Sequence, residues 1–210
     1  MDEIRIESVS PPLDQPEVAD PLAATLRCAH AMGLLQSPRG PVKKLDLATL
    51  RRLLTPVREE GIATSAFDEL LSMKPSAKRG RLANVLGRLH GALLESPTPR
   101  HEWPRLVEVL GLELLARLVG TSLASARRYA SGERNTPEVL AERLHHVAMI
   151  VADLAGAYND LGIRLWFDRS RKLLGGKPPR ELLTGAWRPD QREPQRVLEL
   201  AASLVGSPAT

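Results

Sequence analysis

Apolar residues recur every three or four positions along most of this chain. The clearest run lies between Leu82 and Leu93 and repeats at i, i+3, i+4 and i+7. This spacing places the side chains on one face of a helix. Ser76 stands before the run, and serine is a common helix N-cap, so we expect an amphipathic helix that begins there.

Weaker repeats predict three more helices in residues 20–95. Asp20 and Pro21 form an N-cap followed by proline at the first helical position. Asp46 and Ser65 are suitable caps for the other two helices. Residues 1–19 carry three prolines and alternate acidic with small residues, so we expect them to form a disordered arm.

Pro104 is expected to begin a helix that ends at Gly111, and residues 112–144 predict three consecutive helices after it. The first ends at Gly120, because glycine readily adopts the left-handed conformation that closes a helix. Ser122 caps the second helix, and Gly132 ends it. Pro137 begins the long third helix, which extends to residue 157 and is mostly core.

Composition supports an all-α fold. Leu and Ala dominate, β-branched residues are few, and aromatic residues make up only 3% of the chain, which favours helices over strands. The one cysteine, Cys28, cannot form an internal disulfide, and no apolar run is long enough to span a bilayer. The N-terminus is acidic, unlike a secretory signal. We therefore expect a cytoplasmic protein that does not enter the membrane.

Basic residues are clustered, although the formal net charge is only +4. Residues 74–90 hold five lysines and arginines and no acid, and residues 162–180 hold six with one acid. Such clusters attract anionic partners such as nucleic acid, but for any one cluster alone a solvated helix face is the better explanation.

Two short helices joined by a glycine-containing turn are typical of the helix-turn-helix, whose second helix enters the major groove of DNA. In the second helix Leu123, Ala126 and Tyr129 are expected to face inward. Arginine reads guanine, while serine and threonine contact bases or phosphates. The predicted DNA-binding residues are Thr121, Ser122, Ser125, Arg127, Arg128 and Arg134. An ordinary helical hairpin with solvated arginines is the alternative.

The stretch "LWFDRSRKLLGGKPPRELL", residues 165–183, pairs glycines with a lysine. It is not a phosphate-binding loop, because Arg171 stands where that motif needs its first glycine and Pro178 replaces the hydroxyl that binds magnesium. The glycines are instead expected to end a helix that extends to Leu173, and the prolines to begin the next helix.

Residues 112–137 resemble an Xre-type helix-turn-helix, and the later segment resembles the toxin-binding domain of Xre/MbcA/ParS antitoxins. The resemblance covers about residues 103–205. Its marks are Trp166, the sequence Leu174-Gly175-Gly176-Lys177, Pro179, Glu181-Leu182-Leu183, and an apolar helix near Val197. Two features depart from the family: residues 184–194 form a longer link, and residues 20–95 form a larger leader.

The resemblance implies an antitoxin that neutralises a RES-type, NAD-degrading toxin and represses its own operon. It places toxin binding in residues 158–210, where Trp and Arg are typical of binding hot spots. We expect Trp166 to be core and Trp187 to lie in a polar loop at the interface. The predicted toxin-binding residues are Trp187, Arg169, Lys172, Lys177, Arg180 and Arg188.

The expected organisation is a disordered arm (1–19), a helical region of unassigned role (20–100), a helix-turn-helix domain (101–157) and a toxin-binding domain (158–210). We expect a homodimer, because helix-turn-helix proteins commonly read paired half-sites. Two other functions fit the sequence: a stand-alone regulator whose N-terminal half binds a ligand or protein, and an interaction protein that has lost DNA binding.

No enzyme is expected. Glu142 and His145 form one Glu-x-x-His pair, half of a di-iron motif, but no second pair accompanies it. No nucleophile, base and orienting group occur together. We therefore expect no cofactor and no metal.

Overall fold

Helices make up the regular structure of this protein. The computed structural model describes residues 5–36 and 40–205, and within those ranges it contains twelve α-helices and no sheet. The prediction of an all-α fold is confirmed. The described residues divide into two compact units, one formed by 5–30 and 34–96, the other by 31–33 and 97–205.

The first unit holds the helices α1 to α5. They span Pro16–Ala31, Leu47–Leu53, Thr55–Glu59, Thr64–Ser72 and Arg79–Leu94. The second unit holds α6 to α12. They span Pro99–Leu110, Leu112–Val119, Leu123–Ala130, Glu138–Leu154, Asp160–Asp168, Pro179–Leu182 and Arg192–Val205.

The segment before α1 is not a loose arm. Ile6 forms an isolated parallel bridge with Val42, and Val9 forms another with Leu45. Leu13 is only 1% exposed. The prediction of disorder is therefore wrong for residues 5–19, because backbone groups before the first proline form hydrogen bonds with a loop about 35 residues away; residues 1–4 lie outside the described ranges.

Two helices begin earlier than the sequence indicated. Helix α1 begins at Pro16 and contains Pro21, and α6 begins at Pro99 and contains Pro104. In each helix a first-position proline presets the backbone angle, while the second proline, five residues later, removes one backbone hydrogen bond without ending the helix. Helix α5 begins at Arg79 rather than Ser76.

The second unit is organised around α9. Thirteen of its seventeen residues are buried, among them Arg143, His145 and His146, so the helix is covered by other elements on nearly all sides. Helices α6, α7 and α12 pack against it. Residues 97–157 and 158–205 therefore share one core, and the predicted boundary at 157/158 does not separate two compact units.

The corner at residues 165–183 is sharper than predicted. Helix α10 ends at Asp168, and a 3₁₀ turn spans Lys172–Leu174 before Gly175, which has a positive φ of 71°. The expected continuous helix to Leu173 is wrong, and Leu173 is 71% exposed. The prolines do begin the next helix, since α11 starts at Pro179.

Candidate nucleic-acid interface

Helices α7 and α8 are joined by a tight turn at Gly120. Gly120 has φ 74° and ψ 42°, the left-handed conformation that glycine adopts without strain, and its N–H donates to the carbonyl of Arg117. Ser122 then caps α8, because its Oγ accepts from the N–H of Ser125 at 3.1 Å. The predicted end of α7 and cap of α8 are confirmed.

The close approach of neighbouring groups also requires glycine at position 120. A Cβ atom placed on Gly120 would lie 2.4 Å from the carbonyl oxygen of Gly185 and 3.1 Å from Nη1 of Arg143. No real Cβ contact is that short. Residue 120 is therefore glycine for two reasons: its backbone angle and the close approach of the segment before α12.

Helix α8 is held by aromatic packing on its inner face. Tyr129 is 7% exposed and stacks on Trp103 of α6, with ring centroids 5.8 Å apart. The indole N–H of Trp103 donates to Oγ1 of Thr136 at 3.0 Å, which ties the loop after α8 to α6. Ala126 is also buried.

Leu123 does not share that inner face and is 40% exposed. The prediction that it faces inward is wrong for a geometric reason. Each residue advances a helix by about 100°, so side chains six positions apart differ by roughly 120° in direction. Leu123 and Tyr129 therefore cannot lie on one narrow face.

The predicted DNA-binding residues differ in their exposure and in their hydrogen bonds. Arg127 and Arg128 are exposed on α8 and form no ion pair with any described residue. Arg134 is also exposed, with its guanidinium 5.6 Å from the Tyr129 ring centroid. Ser122 and Ser125 are bonded to each other through their hydroxyls at 3.0 Å, and Thr121 is half-buried in the turn.

Trp187 is not an exposed anchor. It is 4% exposed, and its indole N–H donates to the carbonyl of Leu118, near the end of α7, at 2.8 Å. Its ring also meets His146 edge-on at 5.4 Å. The prediction of an interface role is wrong, because the link 184–191 folds back onto α7 and α9 and buries the ring.

The other predicted toxin-binding residues are on the surface. Arg169, Lys172 and Lys177 are exposed and form no ion pair within the described ranges. Arg180 pairs with Asp168 at 2.5 Å, and Arg188 with Asp190 at 3.5 Å. Trp166 is 1% exposed, so the expectation that it is core is confirmed.

Exposed leucines near these cations were missed from the sequence. Leu161 is 62% exposed and Leu165 is 41% exposed. They lie four positions apart, on one face of α10. Because helical periodicity alone does not say which apolar face is covered, only the packing distinguishes this face from the buried one at Ile163, Trp166 and Phe167.

Arg143 is the main feature that the sequence did not indicate. It is 8% exposed, and its guanidinium donates to three backbone carbonyls: Trp187 at 2.5 Å, Val119 at 3.2 Å and Gly185 at 3.3 Å. It thereby connects α9, the end of α7 and the link before α12. A lone arginine inside an apolar helix is the signal that could have found it, since arginine is almost never fully buried without partners.

His145 does not join Glu142 in a metal site. Its Nδ1 lies 2.6 Å from Oε1 of Glu102 on α6, and both residues are buried. Burial raises the pKa of the Glu102 carboxyl, against the opposing effect of the His145 hydrogen bond. In the described part of the chain, no three His, Cys, Asp or Glu side chains are grouped as metal ligands.

Comparison of the chain with protein-family models, curated proteins and solved structures finds no match. None of the described helices has the length and apolar character needed to cross a membrane.

Proposed function

We propose that this protein binds operator DNA through α7 and α8 and acts in the cytoplasm as an antitoxin that represses its own operon. The observation that carries the DNA-binding part is the outer face of α8. Two short helices meet at a left-handed glycine, and Trp103 packs on Tyr129 at the inner face of the second helix. Arg127 and Arg128 are exposed on its outer face and have no acidic partner among the described residues. This is the arrangement that lets a helix enter the major groove.

The DNA-binding proposal is tested by removing two charges. Replacement of Arg127 and Arg128 by alanine should weaken binding to the DNA upstream of the gene by at least tenfold, because each lost base contact costs about 1–3 kcal/mol. A gel-shift titration at fixed salt measures this, and circular dichroism should remain unchanged.

The matched control replaces Arg52 and Arg79, two exposed arginines of the first unit, and removes the same charge. It should bind as the unaltered protein does. Equal loss in both double variants would mean that only net charge matters, and unchanged binding in the α8 variant would refute the assignment.

We further propose that the protein acts as a homodimer, which would let two copies of α8 read half-sites about one helical turn apart. Light scattering at micromolar concentration measures the mass of the free protein. A monomer both free and on DNA would contradict the proposal.

The toxin partner is proposed from the resemblance to Xre/MbcA/ParS antitoxins. What supports it is the surface of α10 and the following turn, where exposed leucines occur in the same segment as three cations. Arg169, Lys172 and Lys177 form no ion pair with any residue that the structure describes. An apolar patch with a charged rim is typical of protein interfaces. The proposed partner is a RES-type toxin that degrades NAD.

The toxin proposal is tested by charge reversal rather than by deletion. Removal of 158–210 would uncover α9 and the Trp187 site, so it would disturb the fold itself. Replacement of Arg169, Lys172 and Lys177 by glutamate changes only exposed positions. Co-expressed with the neighbouring RES toxin, this variant should fail to preserve growth and cellular NAD. Reversal of Lys43 and Lys44, exposed cations of the first unit, should still protect; equal protection by both variants would contradict the assignment.

A stand-alone regulator is the second candidate function. It is favoured by the separate first unit, in which Arg27 Nε and His90 Nδ1 are buried without a hydrogen-bond partner in the described residues. The Arg27 N–H is a donor that suits an anionic ligand, and a neutral His90 ring can donate or accept beside it. Absence of any RES-type gene beside this one, together with intact operator binding, would favour this function over the antitoxin.

A further inference from the structure

The hydroxyl of Ser122 is engaged within the first turn of α8. The Oγ of Ser122 accepts from the N–H of Ser125 at 3.1 Å and donates to the Oγ of Ser125 at 3.0 Å. The first of these bonds is the helix cap, which stabilises a helix by about 1 kcal/mol. A base edge would have to break this pair before Ser122 could donate to it. Ser125 keeps its own O–H proton, but its side chain is half-buried.

Two apolar side chains are exposed in this turn. Leu123 is 40% exposed and Ala124 is also exposed. Each stands four positions before an exposed arginine, Leu123 before Arg127 and Ala124 before Arg128, so each pair lies on one stripe of the helix. The outer face of α8 is thus apolar in its first turn and cationic in its second.

This division limits what the helix can recognise. In the usual docking of such a pair of helices, the first residues of the second helix approach the base edges most closely. In the major groove the four base pairs present hydrogen-bonding groups and a single kind of apolar group, the C5-methyl of thymine. A leucine and an alanine at that position can gain free energy only from the methyl group.

We propose, on the basis of the DNA-binding function proposed above, that Leu123 and Ala124 read thymine methyl groups in each operator half-site. Arg127 and Arg128 then contact guanine edges or phosphates further along the helix. Ser122 and Ser125 shape the helix and do not select bases. The expected operator half-site therefore contains a thymine next to a guanine or phosphate that an arginine contacts.

The experiment begins with the full-length protein and a library of random-sequence duplexes, from which bound sequences are enriched. Each thymine of the selected site is then replaced by deoxyuridine, which removes only the methyl group. At one or two thymines per half-site the dissociation constant should rise by about threefold to fivefold, as for loss of one buried methyl group.

The same replacements are repeated with Leu123→Ala and Ala124→Gly, and with Leu71→Ala as a control at an exposed leucine of α4. Leu123→Ala should lose the sensitivity to at least one methyl group, while Leu71→Ala should keep all of it. Ser125→Ala should enrich the same sequence as the unaltered protein. Circular dichroism and the retained binding to unselected DNA show that each variant is folded.

Two failures are distinguishable. If the unaltered protein enriches no sequence, the proposed DNA-binding function is wrong and the assignment of Leu123 and Ala124 goes with it. If a site is enriched but no thymine methyl matters, or the sensitivity survives in both Leu123→Ala and Ala124→Gly, the function stands and the methyl readout is overturned. A changed sequence with Ser125→Ala also overturns it, because the serine would then select bases.

Discussion

Arg143 shows how one side chain joins three segments of the second unit. Its three carbonyl partners, at Val119, Gly185 and Trp187, belong to the end of α7 and to the link before α12. Arginine suits this position because its planar group presents several donors in fixed directions. Without it, three carbonyls in a mostly buried region would lose a charge-assisted donor.

We predict that Arg143→Leu lowers the free energy of unfolding by about 2–4 kcal/mol, because buried carbonyls are left without a donor. Arg143→Lys should recover little of the loss, since one ammonium group cannot reach all three acceptors. Denaturant unfolding followed by tryptophan fluorescence measures the effect. Arg117→Leu, at an exposed position of α7, should change stability by no more than about 0.5 kcal/mol. A loss as large as that of Arg143→Leu would contradict the role assigned to the three carbonyl bonds.

At the scale of elements, the turn between α7 and α8 depends on close approach as well as on backbone angle. Gly120 and Gly132 have nearly the same positive φ, 74° and 75°. They differ in their surroundings, because a Cβ on Gly120 would meet the Gly185 carbonyl whereas a Cβ on Gly132 would have nothing within 4 Å. Alanine substitutions at Gly120 and Gly132 therefore separate the cost of the backbone angle from the cost of the close approach.

Gly132→Ala should cost about 1–2 kcal/mol, the penalty for a side chain in the left-handed region. Gly120→Ala should cost roughly 1–3 kcal/mol more, because the link at Gly185 must move to admit the methyl group. Thermal or denaturant unfolding of the two variants gives both values. Equal costs would show that the link accommodates the methyl group freely, contrary to the packing described.

The region around the turn at Gly120 contains features that the sequence predicts and features that it does not. Gly120 and Ser122 were recognised because their effects are local: a left-handed residue and a side-chain cap act within one helical turn. Leu123 and the starts of α1 and α6 were misplaced. The start of each helix depends on which of its two prolines the packing places at the first helical position. The exposure of Leu123 depends on which face of a short helix the rest of the fold covers.

At the scale of the whole molecule, the two units can be observed separately. All three tryptophans, Trp103, Trp166 and Trp187, belong to the second unit. Their fluorescence therefore reports on that unit. The second unit also contains His146, whose ring is buried and whose pKa is lowered by that burial.

His146 is held in its neutral form. It is 6% exposed, and its Nε2 lies 3.1 Å from the carbonyl of Pro194 at the start of α12. Because a carbonyl only accepts, Nε2 carries the proton and donates it. Burial lowers the pKa of His146 from its ordinary value of 6.5; the Pro194 carbonyl opposes this shift, and His145 adds to it.

The second unit should therefore lose stability in acid. Above pH 6.5 the histidine is neutral in both folded and unfolded chains, so its contribution is complete. As the pH falls below 6.5 towards the lower folded pKa, the unfolded chain binds a proton that the folded chain does not, and the free energy of unfolding decreases. Unfolding followed by tryptophan fluorescence at pH 7.5 and 5.5 measures the decrease.

His146→Gln keeps a donor for Pro194 but does not titrate, so its stability should change less between these two pH values. Glu102, whose raised pKa acts in the opposite direction, is common to both proteins and cancels in the comparison. An unchanged pH dependence in His146→Gln would assign the acid sensitivity to another group.

The sequence by itself determined the helical class, the apolar faces of α5 and α9, the cap at Asp46 and the turn at Gly120. These features depend on residues within one or two helical turns, and their periodicity is legible in a single sequence. Only the tertiary structure decided that Trp187 is buried, that Arg143 binds three carbonyls and that residues 97–205 share one core. The Trp187–Leu118 bond joins residues 69 positions apart, and contacts at such distances arise from the packing of whole helices, which no local pattern encodes.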